Sequence, residues 1–141
     1  MTKLTVEGDY TELPRIMLVT RMHTGTRFFI DLLKHNLDEP FYSNHCQPHV
    51  MPQIKRLYDQ GVVLVTTYRT EQQIRDSWMR RYQHLGERSN GFWYQHIQWH
   101  DWVIPHAKFV LSLDEADREQ DLKVLGDYLG VELKTDWEPI V

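Results

Sequence analysis

Three groups of residues in this 141-residue chain have the types and spacing to do chemistry. The first is Arg21-Met22-His23-Thr24-Gly25-Thr26-Arg27-Phe28, where a glycine between two threonines makes a tight polar turn. Set between a strand and a helix, such a turn aims free backbone N–H groups and the positive end of a helix dipole at one point. That point suits an anion, most often a phosphate. The second group is Arg69 with Ser77 eight residues later. A guanidinium fork and a hydroxyl together suit a phosphate monoester. The third is His45-Cys46-Gln47-Pro48-His49, whose imidazoles can take a proton near neutral pH.

Several sharper motifs fail. A nucleotide-triphosphatase P-loop needs Gly-x4-Gly-Lys-[Ser/Thr], and this turn has one glycine with no lysine after it. A dinucleotide fingerprint needs three glycines. A tyrosine-phosphatase loop needs arginine where Pro52 stands. His45/His49 and His96/His100 each have a gap that lets two imidazoles share a metal. Neither pair has a Glu or Cys ligand pattern beside it in sequence, so no metal site is expected. Cys46 reads as a small inert residue. Arg75, Arg80 and Arg81 read as a solvated helix face. The aromatic run from Phe92 to Trp102 reads as core packing, with the wall of an acceptor pocket as its functional alternative. The glycine turn alone also fits a plain strand–helix connection without a ligand.

The elements that must position these groups are legible in the hydrophobic pattern. Ile16 to Val19 is a continuous apolar run suited to a strand buried on both faces, and Phe29, Leu32 and Leu33 follow it at helical spacing. That helix is expected to end near His35-Asn36. Phe41 to His45 reads as a short strand. Pro52 fits the first turn of a helix carrying Ile54, Leu57 and Tyr58, with Gly61 beyond its end. Val62 to Thr67 is the clearest buried strand. Thr70-Glu71-Gln72-Gln73 forms a capping box that starts a helix with Ile74, Trp78, Tyr82 and Leu85 on one face, ending near Gly86. After a polar loop from Glu87 to Gly91, the aromatic run is expected to be helical and to stop at Pro105. Lys108 to Leu113 is a further strand. Glu115 to Leu129 is a last helix that buries Leu122, Leu125 and Leu129, with Gly130 past its end. Residues 1–13 read as an arm or edge strand. Alternating strands and helices imply one α/β domain over residues 1–141: a three-layer sandwich with a central parallel sheet of about four or five strands.

Composition narrows the function classes. A net charge of −4 argues against bulk nucleic-acid binding while leaving room for a local basic pocket. No apolar run approaches the roughly 20 residues that span a bilayer, so no membrane partner is expected. Residues 1–9 lack the apolar core of a signal peptide. A single cysteine rules out an internal disulfide framework and makes a reducing, cytoplasmic setting the expectation.

Taken together, the glycine turn and the Arg69/Ser77 pair resemble the cofactor-binding elements of the sulfotransferases that use 3′-phosphoadenosine 5′-phosphosulfate (PAPS). The 5′-phosphosulfate loop of that family has the form Lys/Arg-x-Gly-Thr-[Thr/Arg]-aromatic or aliphatic, and here the run is His23-Thr24-Gly25-Thr26-Arg27-Phe28. The family's 3′-phosphate element is a strand ending in arginine with a serine eight residues on, as in Val62 to Arg69 and Ser77. Phe109 to Leu113, Asp114 and the helix ending Tyr128-Leu129-Gly130 are similar to its closing segment. The likeness covers residues 14–84 and, more loosely, 107–137.

The resemblance implies a P-loop NTPase-like sulfotransferase fold. It also implies transfer of a sulfuryl group from PAPS to a hydroxyl (or amine) on a small molecule, carbohydrate or peptide, leaving 3′-phosphoadenosine 5′-phosphate (PAP). Thr24, Gly25, Thr26 and Arg27 would hold the 5′-phosphosulfate, Phe28 would stack on adenine, and Arg69 and Ser77 would hold the 3′-phosphate. His45, with His49 as second choice, would take the acceptor proton. His23 stands where the family carries a lysine or arginine, so leaving-group stabilisation falls to His23 itself or to Arg21 reaching in. No metal is needed by this scheme. The alternatives are a module that binds a 3′-phosphoadenosine nucleotide without turnover, and a nucleotide kinase-like P-loop protein.

Overall fold

A computed structural model describes residues 13–82 and 90–135, with the side chains of Arg81, Tyr82, Asn90–Trp93 and Glu115 outside that description. The expected arm at residues 1–13 therefore falls almost wholly outside it, as do Leu85, Gly86 and most of the loop that follows. The elements run β1 (Ile16–Thr20), α1 (Thr26–Asn36), β2 (Tyr42–His45), α2 (Met51–Asp59), β3 (Val63–Tyr68) and α3 (Glu71–Tyr82). They continue with α4 (Asn90–Gln98), a π-helical turn (Trp99–Val103), α5 (Ile104–His106), β4 (Phe109–Ser112) and α6 (Glu115–Leu129).

The four strands form one sheet in the order β2-β1-β3-β4, and every pair is parallel. Alternation along β1 divides the core between the two faces, as the two-residue period of a strand requires. Ile16 and Leu18 pack with Phe29, Leu32 and Leu33 of α1 and with Leu122, Leu125 and Leu129 of α6. Met17 and Val19 face Met51, Ile54 and Leu57 of α2, Ile74 and Trp78 of α3, and Trp99 and Val103 of the π-helical turn. The result is the expected three-layer α/β sandwich. Among the described residues no helix is long and apolar enough to cross a membrane.

The caps follow the sequence signals. Gln73 N–H donates to Thr70 Oγ1 at 3.2 Å and Thr70 N–H donates to Gln73 Oε1 at 3.0 Å, completing the capping box. Asp114 caps α6 by accepting from Ala116 N–H, and Gly130 closes that helix in the left-handed conformation. One expected boundary moves. Pro105 does not stop the aromatic helix, which continues through it to His106. The π-helical turn just before it widens the coil and relieves the clash that a proline ring makes with the carbonyl one α-turn back.

A candidate anion site at the β1–β3 crevice

The chain leaves β1 toward β2 and then passes back to β3 on the other side, so the strand order reverses between β1 and β3. In open parallel sheets the crevice outside the carboxyl ends at such a point is where ligands bind. Residues 21–25 after β1 and residues 69–70 after β3 line it here.

Buried threonines build its floor. Thr24 donates its hydroxyl to the Arg21 carbonyl at 2.6 Å and lies against the Thr67 hydroxyl, joining the loop after β1 to the end of β3. Both side chains are fully buried, where an unpaired hydroxyl would be costly. Gly25 then takes φ +90°, and a Cβ placed there would come within 2.8 Å of Leu113 Cδ1. The turn thus needs glycine for its backbone angle, whereas the Leu113 side-chain tip, in the segment after β4, can shift aside.

At α1 the first helical residues have no side-chain cap and no acidic neighbour in the first turn. Arg27 sits there instead, exposed. A cation at a helix N-terminus opposes the macrodipole by roughly 0.3–1 kcal/mol, so the position makes sense as a contact for an incoming anion.

Across the crevice Arg69 and Ser77 converge on one residue. Arg69 Nη1 donates to the His23 carbonyl at 3.2 Å, and Ser77 Oγ lies 2.8 Å from His23 Nδ1. His23 also meets the edge of Trp78, and it holds φ +68°, a left-handed conformation that costs a non-glycine residue about 1–3 kcal/mol. Phe28 is half-buried, with the Arg118 guanidinium of α6 lying over its ring at 4.7 Å.

Thr26 donates its hydroxyl to Thr20 Oγ1 at 2.8 Å, and Thr20 Oγ1 lies 3.4 Å from His45 Nδ1, long for a hydrogen bond. The register that pairs Thr20 with His45 puts this imidazole at the mouth of the loop. His49 lies four residues on, exposed on the turn before α2.

Arg21 is placed elsewhere than the loop. It is 1% exposed, gives both Nη groups to Glu71 at 2.9 and 3.0 Å, and lies under the Trp99 ring. A guanidinium so deeply buried requires a carboxylate, and Glu71 at the start of α3 supplies it. The expectation that Arg21 could reach the loop is corrected by this pairing. The hydrogen bonds from Arg21 hold the Glu71 carboxyl below its ordinary value. Beside it, burial first and then the Arg21 charge lower the His96 imidazole below its usual range. Cys46 is buried with its thiol pushed up to about 12, so it holds no thiolate near neutral pH.

Thr20, Thr67 and Glu71 were not singled out in sequence. The threonines ending two apolar strands, Val19-Thr20 and Val65-Thr66-Thr67, were the available signal. Buried hydroxyls at carboxyl strand ends require partners, and those of Thr20 and Thr67 lie in the crevice. Glu71 was visible only as a member of the capping box. Comparison with protein-family models, with curated proteins and with solved structures finds no match for this chain. The chemistry of the site therefore rests on its own geometry.

Proposed function

We propose that the chain binds PAPS in the β1–β3 crevice and transfers its sulfuryl group to a hydroxyl or amine acceptor. The observation that carries this reading is the convergence of Arg69 and Ser77 on His23, one residue before the Thr24-Gly25-Thr26-Arg27 turn. A 3′-phosphate partner and a 5′-phosphosulfate loop are thereby neighbours, as a nucleotide phosphorylated at both positions demands. An incoming 3′-phosphate would take over the Arg69 and Ser77 groups that now contact His23. The N–H groups at the start of α1, the Thr26 hydroxyl and Arg27 would hold the other end.

In the transfer itself the acceptor oxygen or nitrogen attacks sulfur, the bond from sulfur to the 5′-phosphate oxygen breaks, and PAP leaves. His45 takes the acceptor proton, a role its link through Thr20 to Thr26 favours over the exposed His49. The protein's share is positioning and electrostatics, as in phosphoryl transfer. A reducing, cytoplasmic setting fits a chain whose single cysteine is buried. The commitment of Arg21 to Glu71 favours one second reading, a module that holds the nucleotide without turning it over.

Titration with PAP against ADP tests the proposal. PAP should bind more tightly, and Arg69→Ala should weaken PAP beyond ADP by about 1.5–3 kcal/mol, the worth of a hydrogen bond to a charged group. Equal losses for both nucleotides, or a preference for ADP, would sink it. Turnover of PAPS with hydroxyl acceptors, abolished in His45→Ala, separates the enzyme from the binding module.

A further inference from the structure

Glu71, His96 and His100 each offer a ligand atom, and these atoms lie within 4.8 Å of one another. Glu71 opens α3, His96 lies on α4 and His100 on the π-helical turn, so two separately placed segments contribute. Hydrogen bonds anchor the backbone that carries them. Glu71 is oriented by the two-pronged hydrogen bond from buried Arg21, which leaves carboxylate lone pairs free to ligate. The two histidines follow directly on Gln95 and Trp99, which share their four-residue spacing and are locked to the core. Gln95 accepts from Met22 N–H at 2.8 Å, and Trp99 Nε1 donates to Thr66 Oγ1 at 3.2 Å. The helix is thereby held in register, and its histidine pair is held beside Glu71.

The spacing is close to that of a ligand sphere. His96 Nδ1 and Glu71 Oε1 are 3.6 Å apart, against about 3.4 Å between ligand atoms in a tetrahedral zinc site with bonds of about 2.1 Å. The rings of His96 and His100 meet at 4.6 Å between centroids. His100 is exposed, so a change of rotamer can bring its nitrogen in.

We infer that Glu71, His96 and His100 form a binding site for a divalent transition-metal ion of the zinc class, with an open coordination position toward solvent. Two imidazoles and one carboxylate select such an ion over magnesium or calcium, which prefer oxygen donors alone. Three protein ligands leave a fourth position for water or an anion, as in reactive rather than purely structural zinc sites. Arg21 acts from behind as the hydrogen-bonded support of the ligating carboxylate. Its positive charge also opposes the ion, so the site binds more weakly than a buried four-ligand site. The site is independent of the nucleotide proposal, since none of its ligands is assigned to PAPS.

Titrating the intact chain with Co2+, followed by visible absorption and reversed by Zn2+, tests this. One equivalent should bind. His100→Ala, a change at an exposed position, should weaken binding at least about tenfold, the smallest loss typical even of a supporting partner of a metal ligand. His35→Ala on α1 should leave it unchanged. In parallel, Zn2+ added to the wild-type chain should shift the imidazole NMR signals of His96 and His100 and leave that of His35 in place. This second readout needs no variant to fold. Absence of binding up to millimolar Co2+, binding that His100→Ala and His96→Ala both leave intact, or NMR shifts confined to other histidines would each overturn the proposal.

Discussion

His23 sits where the two halves of the proposed nucleotide site touch, its carbonyl under Arg69 and its ring against Ser77. Substituting Ser77 by alanine should therefore act on PAP and leave ADP nearly untouched, a contrast that isothermal titration resolves. Gly25 yields a stability prediction. At φ +90° an alanine would cost about 1–2 kcal/mol in backbone strain alone. The Leu113 side chain can give way, so pairing Gly25→Ala with Leu113→Ala should not restore the denaturation midpoint. Full rescue would mean that crowding, not the backbone angle, dictates the glycine. These residue types were legible in sequence as a glycine turn after a strand and an arginine–serine pair. What stayed hidden was partnership across the fold. Arg21 and Glu71 are 50 positions apart, and Glu71 and His96 are 25 apart, so no spacing rule could bring them together.

The elements were easier to read than the contacts because each carries its own local signal. Apolar runs gave β1 and β3, the Thr70–Gln73 box gave the start of α3, and Asp114 with Gly130 bracketed α6. The π-helical turn was not legible, since apolar residues on both the buried and the exposed side of this run hide the change of phase that one extra residue makes. There Trp99 is 1% exposed, stacked on Tyr68 and bonded to Thr66, while Tyr94 and Ile97 on α4 are exposed. The aromatic run is thus part core and part surface. Trp99→Phe keeps most of the buried ring and removes the N–H, which should cost about 1 kcal/mol in chemical denaturation. Trp99→Ala should cost about 3–5 kcal/mol and loosen His100 with it.

For the whole molecule, acid should act in two stages. His96 has its folded-state pKa depressed, so its contribution is complete above the ordinary imidazole value of 6.5 and is lost as pH falls below it. Glu71 is likewise depressed from 4.5, and the stability from its pairing with Arg21 declines below that value. Thermal melts across this range should show the earlier loss flattened in His96→Gln and the later one flattened in Glu71→Gln. The second variant should also be weaker by about 1–3 kcal/mol near neutral pH, since it leaves the buried Arg21 guanidinium without its carboxylate. Ligand linkage offers a separate check: PAP at 100 times its dissociation constant should add about 2.7 kcal/mol of stability, seen as a raised melting temperature. The contact between Gly25 and Leu113 carries a consequence for synthesis on the ribosome. The turn that would grip the phosphosulfate is covered by a residue encoded 88 positions later, just beyond β4. A nascent chain that has already made β1, β2 and β3 still lacks that cover, so nucleotide should not protect it from proteolysis until residue 113 has emerged and docked.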